Sequence, residues 1–157
     1  MAIYAEKGRG MKEGSKKKLS FIKKAFLKLR ETDEQHQERL KEFEYHLDYE
    51  NPDHRCFLCG NLIEEDPYIH HVIPYSYLNK DDLWNLVYTH KSCHEERNET
   101  MPDEGMVPRL DKRNLHLLKA MFDNEIMDQY VEELGYAVKY KLLYQEMKKI
   151  KGMLGNV

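Results

Sequence analysis

The residues that decide the fold of this protein are Tyr68-Ile69-His70-His71-Val72-Ile73-Pro74-Tyr75-Ser76. Apolar and polar side chains alternate up to His71, the period of a half-buried strand, and Pro74, which cannot donate to a ladder, is its expected end. Further on, Asp81-Asp82-Leu83-Trp84-Asn85-Leu86-Val87-Tyr88 reads as a loop entering a second short strand. Lys91-Ser92-Cys93-His94-Glu95-Glu96-Arg97-Asn98 reads as the opening of a helix. Two strands and a helix in this order would gather His70, His71, Asn85, His94 and Asn98 into one small region. On that helix His94 and Asn98 are four apart and share a face.

Two further groups frame this segment. Cys56-Phe57-Leu58-Cys59-Gly60 is a knuckle: two thiols on a tight turn, with Gly where a positive φ is often required. His90-Lys91-Ser92-Cys93 brings two more donors. The sum is Cys-x2-Cys and His-x2-Cys, four borderline or soft ligands in two pairs, which suits a tetrahedral structural zinc held by Cys56, Cys59, His90 and Cys93. Such a site would close a long loop where the core is small. Unrelated buried cysteines are the competing reading, and the second pair counts against it. A redox Cys-x2-Cys is disfavoured because no strand–helix unit of thioredoxin type surrounds it.

These residues resemble the HNH endonuclease family, whose core is the ββα-metal fold. The matching elements are His70, His71-Val72-Ile73-Pro74, Asn85 fourteen residues after His71, and His94 twenty-three after it. Cys93 directly precedes His94, as in family members framed by zinc knuckles. The chain departs from the family in placing His90 where Cys is usual and His70 where Asp is commoner. The resemblance covers about residues 54–99. It implies hydrolysis of phosphodiester bonds with one divalent cation, Mg²⁺, Mn²⁺ or a softer transition metal. It implies His71 as general base, since an imidazole titrating near about 6.5 suits that task at neutral pH. It implies His70 and His94 as metal ligands with Asn98 as a third, and Asn85 as the residue that holds the loop and orients His71. An all-neutral ligand set is softer than one containing Asp. Lys91 and Arg97 are candidates for phosphate contact, although a solvated helix face explains them equally well. Trp84 and Tyr88 read as core. Two alternatives stand beside the nuclease: a non-catalytic zinc-stabilised nucleic-acid-binding module, and a toxin-type nuclease held by an immunity partner.

Outward from this core the sequence turns helical. Leu19, Ile22, Phe26 and Leu29, then Leu40, Phe43 and Leu47, recur in steps of three and four. Thr32-Asp33-Glu34-Gln35 fits a capping box, so a break near Thr32 is favoured over one long helix. Asn51-Pro52-Asp53 ends the helical region. Residues 100–110 read as a loop with Pro102 and Pro108. Asp111 is the expected N-cap of a helix carrying Leu115, Leu118 and Phe122 and continuing through Met127, Tyr130 and Leu134 to a stop at Gly135. A last helix carries Leu143, Met147, Ile150 and Leu154. The fold class is therefore α+β: a basic N-terminal helical arm over 1–53, a ββα-metal core with its zinc-knuckle pair over 54–99, and a C-terminal helical region over 100–157.

Composition sets the outer bounds. At 157 residues, with 41% hydrophobic and 34% charged residues, the chain supports one compact domain with extensions. No apolar run approaches the roughly 18 residues needed to span a bilayer. The first thirty residues lack a secretory pattern, and three cysteines do not make a disulfide framework, so a reducing cytoplasm is the expected compartment. The net charge of -3 conceals an asymmetry: residues 1–30 carry ten Lys or Arg against two Glu, while residues 31–70 carry twelve acids against three bases. A basic arm suits a polyanion, because each neutralised phosphate releases condensed counterions. Lys16, Lys17, Lys18, Lys23 and Lys24 are the candidate contacts, and double-stranded DNA the expected partner. A solvated helix face or tail accounts for them as well, and a homodimer or protein partner is left open.

Overall fold

A computed structural model describes residues 31–155. Lys16, Lys17, Lys18, Lys23 and Lys24 lie outside the described residues, as do Leu19, Ile22, Phe26 and Leu29. The chain divides into two units between His36 and Gln37. In the first, the Thr32 hydroxyl accepts from the Gln35 amide at 3.2 Å and the Gln35 side chain accepts from the Thr32 amide at 2.9 Å. This reciprocal pair is a capping box, and α1 (Asp33–Leu40) starts at it as the sequence predicts.

After a 3-10 turn over Lys41–Phe43 comes α2 (Glu44–Glu50). Leu40, Phe43 and Leu47 are all buried, as their spacing requires. The helix stops at Glu50. Asn51 takes over there, donating to the Arg55 carbonyl at 2.7 Å and accepting from the Arg55 amide at 2.8 Å.

The sheet among the described residues has two antiparallel strands, β1 (Tyr68–His71) and β2 (Leu86–Thr89). Tyr68 faces Thr89 and His71 faces Leu86. Gln37 covers the free edge of β1, its side chain donating to the Ile69 carbonyl at 2.8 Å and accepting from its amide at 2.9 Å. Pairing stops at His71 rather than running to Pro74, because Asn85 draws the next two residues out of the ladder. Pro74 instead leads a short helix, α3 (Tyr75–Leu78). All four residues of β2 are buried, and so is Trp84, which agrees with the core reading of Trp84 and Tyr88. Helix α4 (Lys91–Arg97) packs on β1 and completes the ββα unit.

The C-terminal helices differ from expectation in register. Helix α5 (Met106–Asp123) begins five residues before Asp111. Its start is fixed by Asp103, whose carboxylate accepts from the amides of Gly105 and Met106, both at 2.9 Å. Pro108 is tolerated because first-turn amides have no intrahelical partner to lose. The buried face of α5 is Leu110, Leu117 and Met121, whereas Leu115 and Phe122 are exposed. Met127 is exposed in the turn before α6 (Gln129–Lys139). The N-cap of α6 is Asp128, accepting from the amides of Tyr130 and Val131 and lying 2.7 Å from buried His46 Nε2. Gly135 is not a stop: α6 runs through it, and a Cβ there would meet Leu118 at an ordinary 3.8 Å. The reversal comes at Lys141, with φ 55°, before α7 (Leu142–Leu154). Leu143, Met147 and Ile150 are buried as predicted, but Leu154 is exposed. The buried cluster of the second unit draws on residues from Leu40 to Ile150. Among the described residues no helix is long and apolar enough to cross a membrane.

Candidate metal centre

The knuckle is built by backbone geometry. The Cys56 amide donates to Asn61 and the Gly60 amide to Cys56, both at 2.8 Å, while Gly60 takes φ +80°. That conformation is nearly free for glycine and costly for other residues. Across the loop, His90 directly precedes α4 and Cys93 lies in its first turn. His90 Nδ1 stands 3.4 Å from Cys59 Sγ and 3.9 Å from Cys93 Sγ. All four donor atoms of Cys56, Cys59, His90 and Cys93 lie within 4.8 Å of one another.

Donors about 2.1–2.3 Å from one tetrahedral ion sit roughly 3.4–3.8 Å apart, so this cluster fits a zinc knuckle. His90 Nε2 lies 3.0 Å from the Leu62 carbonyl, to which only an N–H can donate, and this leaves the Nδ1 lone pair facing the sulfurs. Burial pushes the Cys56 thiol up, but amide donation from Cys59, His90 and Leu58 outweighs it and brings the thiol down to about 7. Burial, followed by hydrogen bonding and charge from Cys56 and Cys59, pushes Cys93 up to about 12. Crowded thiolates repel one another, and a divalent cation among them removes that repulsion.

The second centre uses the strand period. Successive residues of β1 face opposite ways, so His70 and His71 serve different surroundings. His70 Nδ1 meets His94 Nδ1 on α4 at 3.2 Å, with the rings edge to face. Both rings are buried, and His94 also leans on Tyr68. Burial, with smaller contributions from His94 and Arg97, drives His70 down to about 3 and keeps it neutral. Two imidazole nitrogens about 2.1 Å from one ion, at angles between octahedral and tetrahedral, lie roughly 3.0–3.4 Å apart. The observed 3.2 Å fits that bite, so His70 and His94 could hold one ion between them.

On the other side, His71 Nε2 lies 2.8 Å from Asp81 Oδ1, and Asp81 Oδ2 is paired with Arg39. Fully buried Asn85 holds the chain leaving His71. Its side chain accepts from the Ile73 amide and donates to the Ile73 carbonyl, both at 2.8 Å, and its own carbonyl accepts from Val72 at 3.0 Å.

His70 and His94 thus meet on one face of β1, His71 turns to Asp81 on the other, and Asn85 holds the turn that follows. Asn98 is exposed at the C-terminal cap of α4, one turn beyond His94. Lys91 and Arg97 are exposed on the same helix, with Lys91 6.0 Å from the centre of the Tyr68 ring. Sequence reasoning missed Asp81 and Arg39. Asp81 stood in a quoted stretch but read only as loop, and Arg39, forty-two residues away, carried no local signal.

A two-stranded sheet closed by a helix, with a Cys3His cluster at the helix start and paired histidines beneath it, defines a ββα-metal unit. Residues 56–100 match the HNH endonuclease family. Proteins of that family are generally nucleases that use a divalent metal and act on nucleic acids. No curated protein and no solved structure matches the chain.

Proposed function

We propose that this protein is an endonuclease that hydrolyses phosphodiester bonds in double-stranded DNA, with His71 as general base and one divalent cation on His70 and His94. The observation that carries the reading is the 3.2 Å approach of two buried imidazole nitrogens, with a third histidine, next in the chain to one of them, tied to a carboxylate. A nucleic-acid-binding module has no use for that arrangement. Asn98 is assigned as a further ligand from the turn after His94. Bound there, a divalent cation would supply Lewis-acid stabilisation of charge on the phosphate and the leaving oxygen. The His and Asn set carries no charge, so Mn²⁺, Co²⁺, Ni²⁺ or Zn²⁺ should serve as readily as Mg²⁺. A structural zinc on Cys56, Cys59, His90 and Cys93 would hold α4, and with it His94, against the sheet.

The chain's own residues do the rest. His71, whose Nε2 lies 2.8 Å from Asp81 Oδ1, takes a proton from water. The resulting hydroxide oxygen bonds to phosphorus, the bond from phosphorus to the leaving oxygen breaks, and that oxygen is protonated from solvent. Asn85 fixes the backbone after His71. Lys91 and Arg97 on α4, with the basic arm of Lys16, Lys17, Lys18, Lys23 and Lys24, would position the phosphate backbone.

Nicking of supercoiled plasmid with Mg²⁺ or Mn²⁺ tests this. Wild type should nick, and His71→Ala should be slower by about 100-fold or more, the usual contribution of a general base, while binding the plasmid equally well. If wild type and His71→Ala are equally inert with every metal while both bind DNA, the nuclease reading fails and the binding module replaces it.

A further inference from the structure

At Asp81 each carboxylate oxygen meets a donor: His71 Nε2 on Oδ1 and the Arg39 guanidinium on Oδ2. The Asp81 side chain is largely withdrawn from solvent, with 11% of it exposed, and His71 is more deeply buried. In such surroundings a polar group left without its partner is expensive, which makes the arrangement restrictive. A carboxylate can only accept, and a guanidinium can only donate. The chain Arg39, Asp81, His71 therefore has one consistent direction, with the His71 proton on Nε2 and the lone pair on Nδ1.

We propose that Asp81 is a positioning residue that fixes the working tautomer of His71, and that Arg39 sets which way Asp81 can act. The proposal rests on the reading of His71 as the base. It goes beyond that reading by naming the residue that selects the atom of His71 that accepts the proton.

The geometry makes Asp81→Asn a sharper test than removal of the side chain. Asparagine has the same shape but one acceptor and one donor. Arg39 cannot accept, so it claims the amide oxygen and turns the NH₂ group toward His71. Nε2 must then accept, and the imidazole proton moves to Nδ1, where it blocks proton uptake from water. A variant that is nearly isosteric is thus expected to be defective through the tautomer alone. Replacing Arg39 as well removes the donor that claims the amide oxygen, so that oxygen can turn to His71 and restore the first tautomer.

The experiment is a long-range proton–nitrogen correlation spectrum of the full chain labelled with ¹⁵N-histidine, above the imidazole titration range, together with the plasmid assay. Wild type should show His71 protonated at Nε2. Asp81→Asn should show it protonated at Nδ1, with kcat lower by about 100-fold and KM for DNA unchanged. Arg39→Met with Asp81→Asn should return the proton to Nε2 and recover at least tenfold of the lost kcat. The proposal is overturned if wild type carries the proton on Nδ1, or if Asp81→Asn leaves tautomer and kcat as they were. It is also overturned if the double variant keeps the flipped tautomer. A wild type that is inert on DNA but shows the predicted tautomers would sink the nuclease reading and leave the control of His71 by Asp81 standing.

Discussion

Adjacent histidines on a strand can do different work because the pleat turns them to opposite faces. His70 meets His94 and is held neutral by burial, while His71 meets Asp81. Both directions depend on where the chain goes next, which Asn85 controls through three hydrogen bonds to Val72 and Ile73. Asn85→Ala would leave the Ile73 amide and carbonyl without those partners in a buried place. A cost of about 2–6 kcal/mol is expected, at roughly 1–3 kcal/mol for each stranded group. Asn85→Asp keeps the acceptor but turns a carboxylate oxygen on the Ile73 carbonyl, and should cost at least as much. Urea unfolding of both variants measures this; a loss under about 0.5 kcal/mol, the range of ordinary surface substitutions, would mean that Asn85 does not hold the turn. The sequence made His70, His71, Asn85 and His94 legible because their order and spacing are local. It was silent on the partner of His71, because the link to Asp81 and Arg39 is made only when α1 comes to lie beside the loop.

Among the elements, the knuckle is the most sequence-determined, since Gly60 and the two cysteines specify a turn within five residues. Its partner pair arrives on the start of α4, so a metal held there would tie that helix to the knuckle. Chelation of the full chain should therefore lower its melting temperature and release one zinc per chain, read by calorimetry and elemental analysis. Cys59→Ser should bind zinc below that stoichiometry. A melting curve unmoved by chelation would remove the structural role of the metal. Helix α5 shows the opposite case. Leu115, Leu118 and Phe122 have helical spacing, and Leu118 packs against the core, yet Leu115 and Phe122 are exposed while Leu110, Leu117 and Met121 are the residues buried. Both stripes satisfy the period, and periodicity does not say which face meets the core. The cap was misjudged for a related reason: Asp103 and Asp111 have the same capping chemistry, and the difference is that Asp111 lies within reach of Lys141 and Tyr144 on the folded chain.

At the scale of the molecule, the C-terminal helices hold the site rather than decorate it. Buried Arg113 on α5 donates to the carbonyls of Leu83 and Leu86, and Asn114 donates to the Trp84 carbonyl at 2.9 Å. These carbonyls flank Asn85 on both sides. Burial lowers Arg113 to about 10, with Glu50 opposing that shift, and burial raises Glu50 with Arg113 opposing. Arg113→Ala would strip the buried Leu83 and Leu86 carbonyls of this donor and free the turn, with an expected loss of about 2 kcal/mol or more, at roughly 1–3 kcal/mol for each stranded group. Denaturant titration of the full chain reads it, and a loss below about 1 kcal/mol would show that the turn stands without the clamp.

By itself the sequence determined the ββα order, the two pairs of metal-type donors and the family resemblance of the central segment. Those depend on strand period, turn chemistry and ligand spacing within short stretches, which act before the chain is packed. Tertiary structure alone decided the face that α5 buries, the clamp of Arg113 and Asn114 on the turn, and the Arg39–Asp81–His71 chain. Each of these joins residues separated by ten to more than forty positions, and their energy comes from burial and shared hydrogen bonds that exist only once the elements have met.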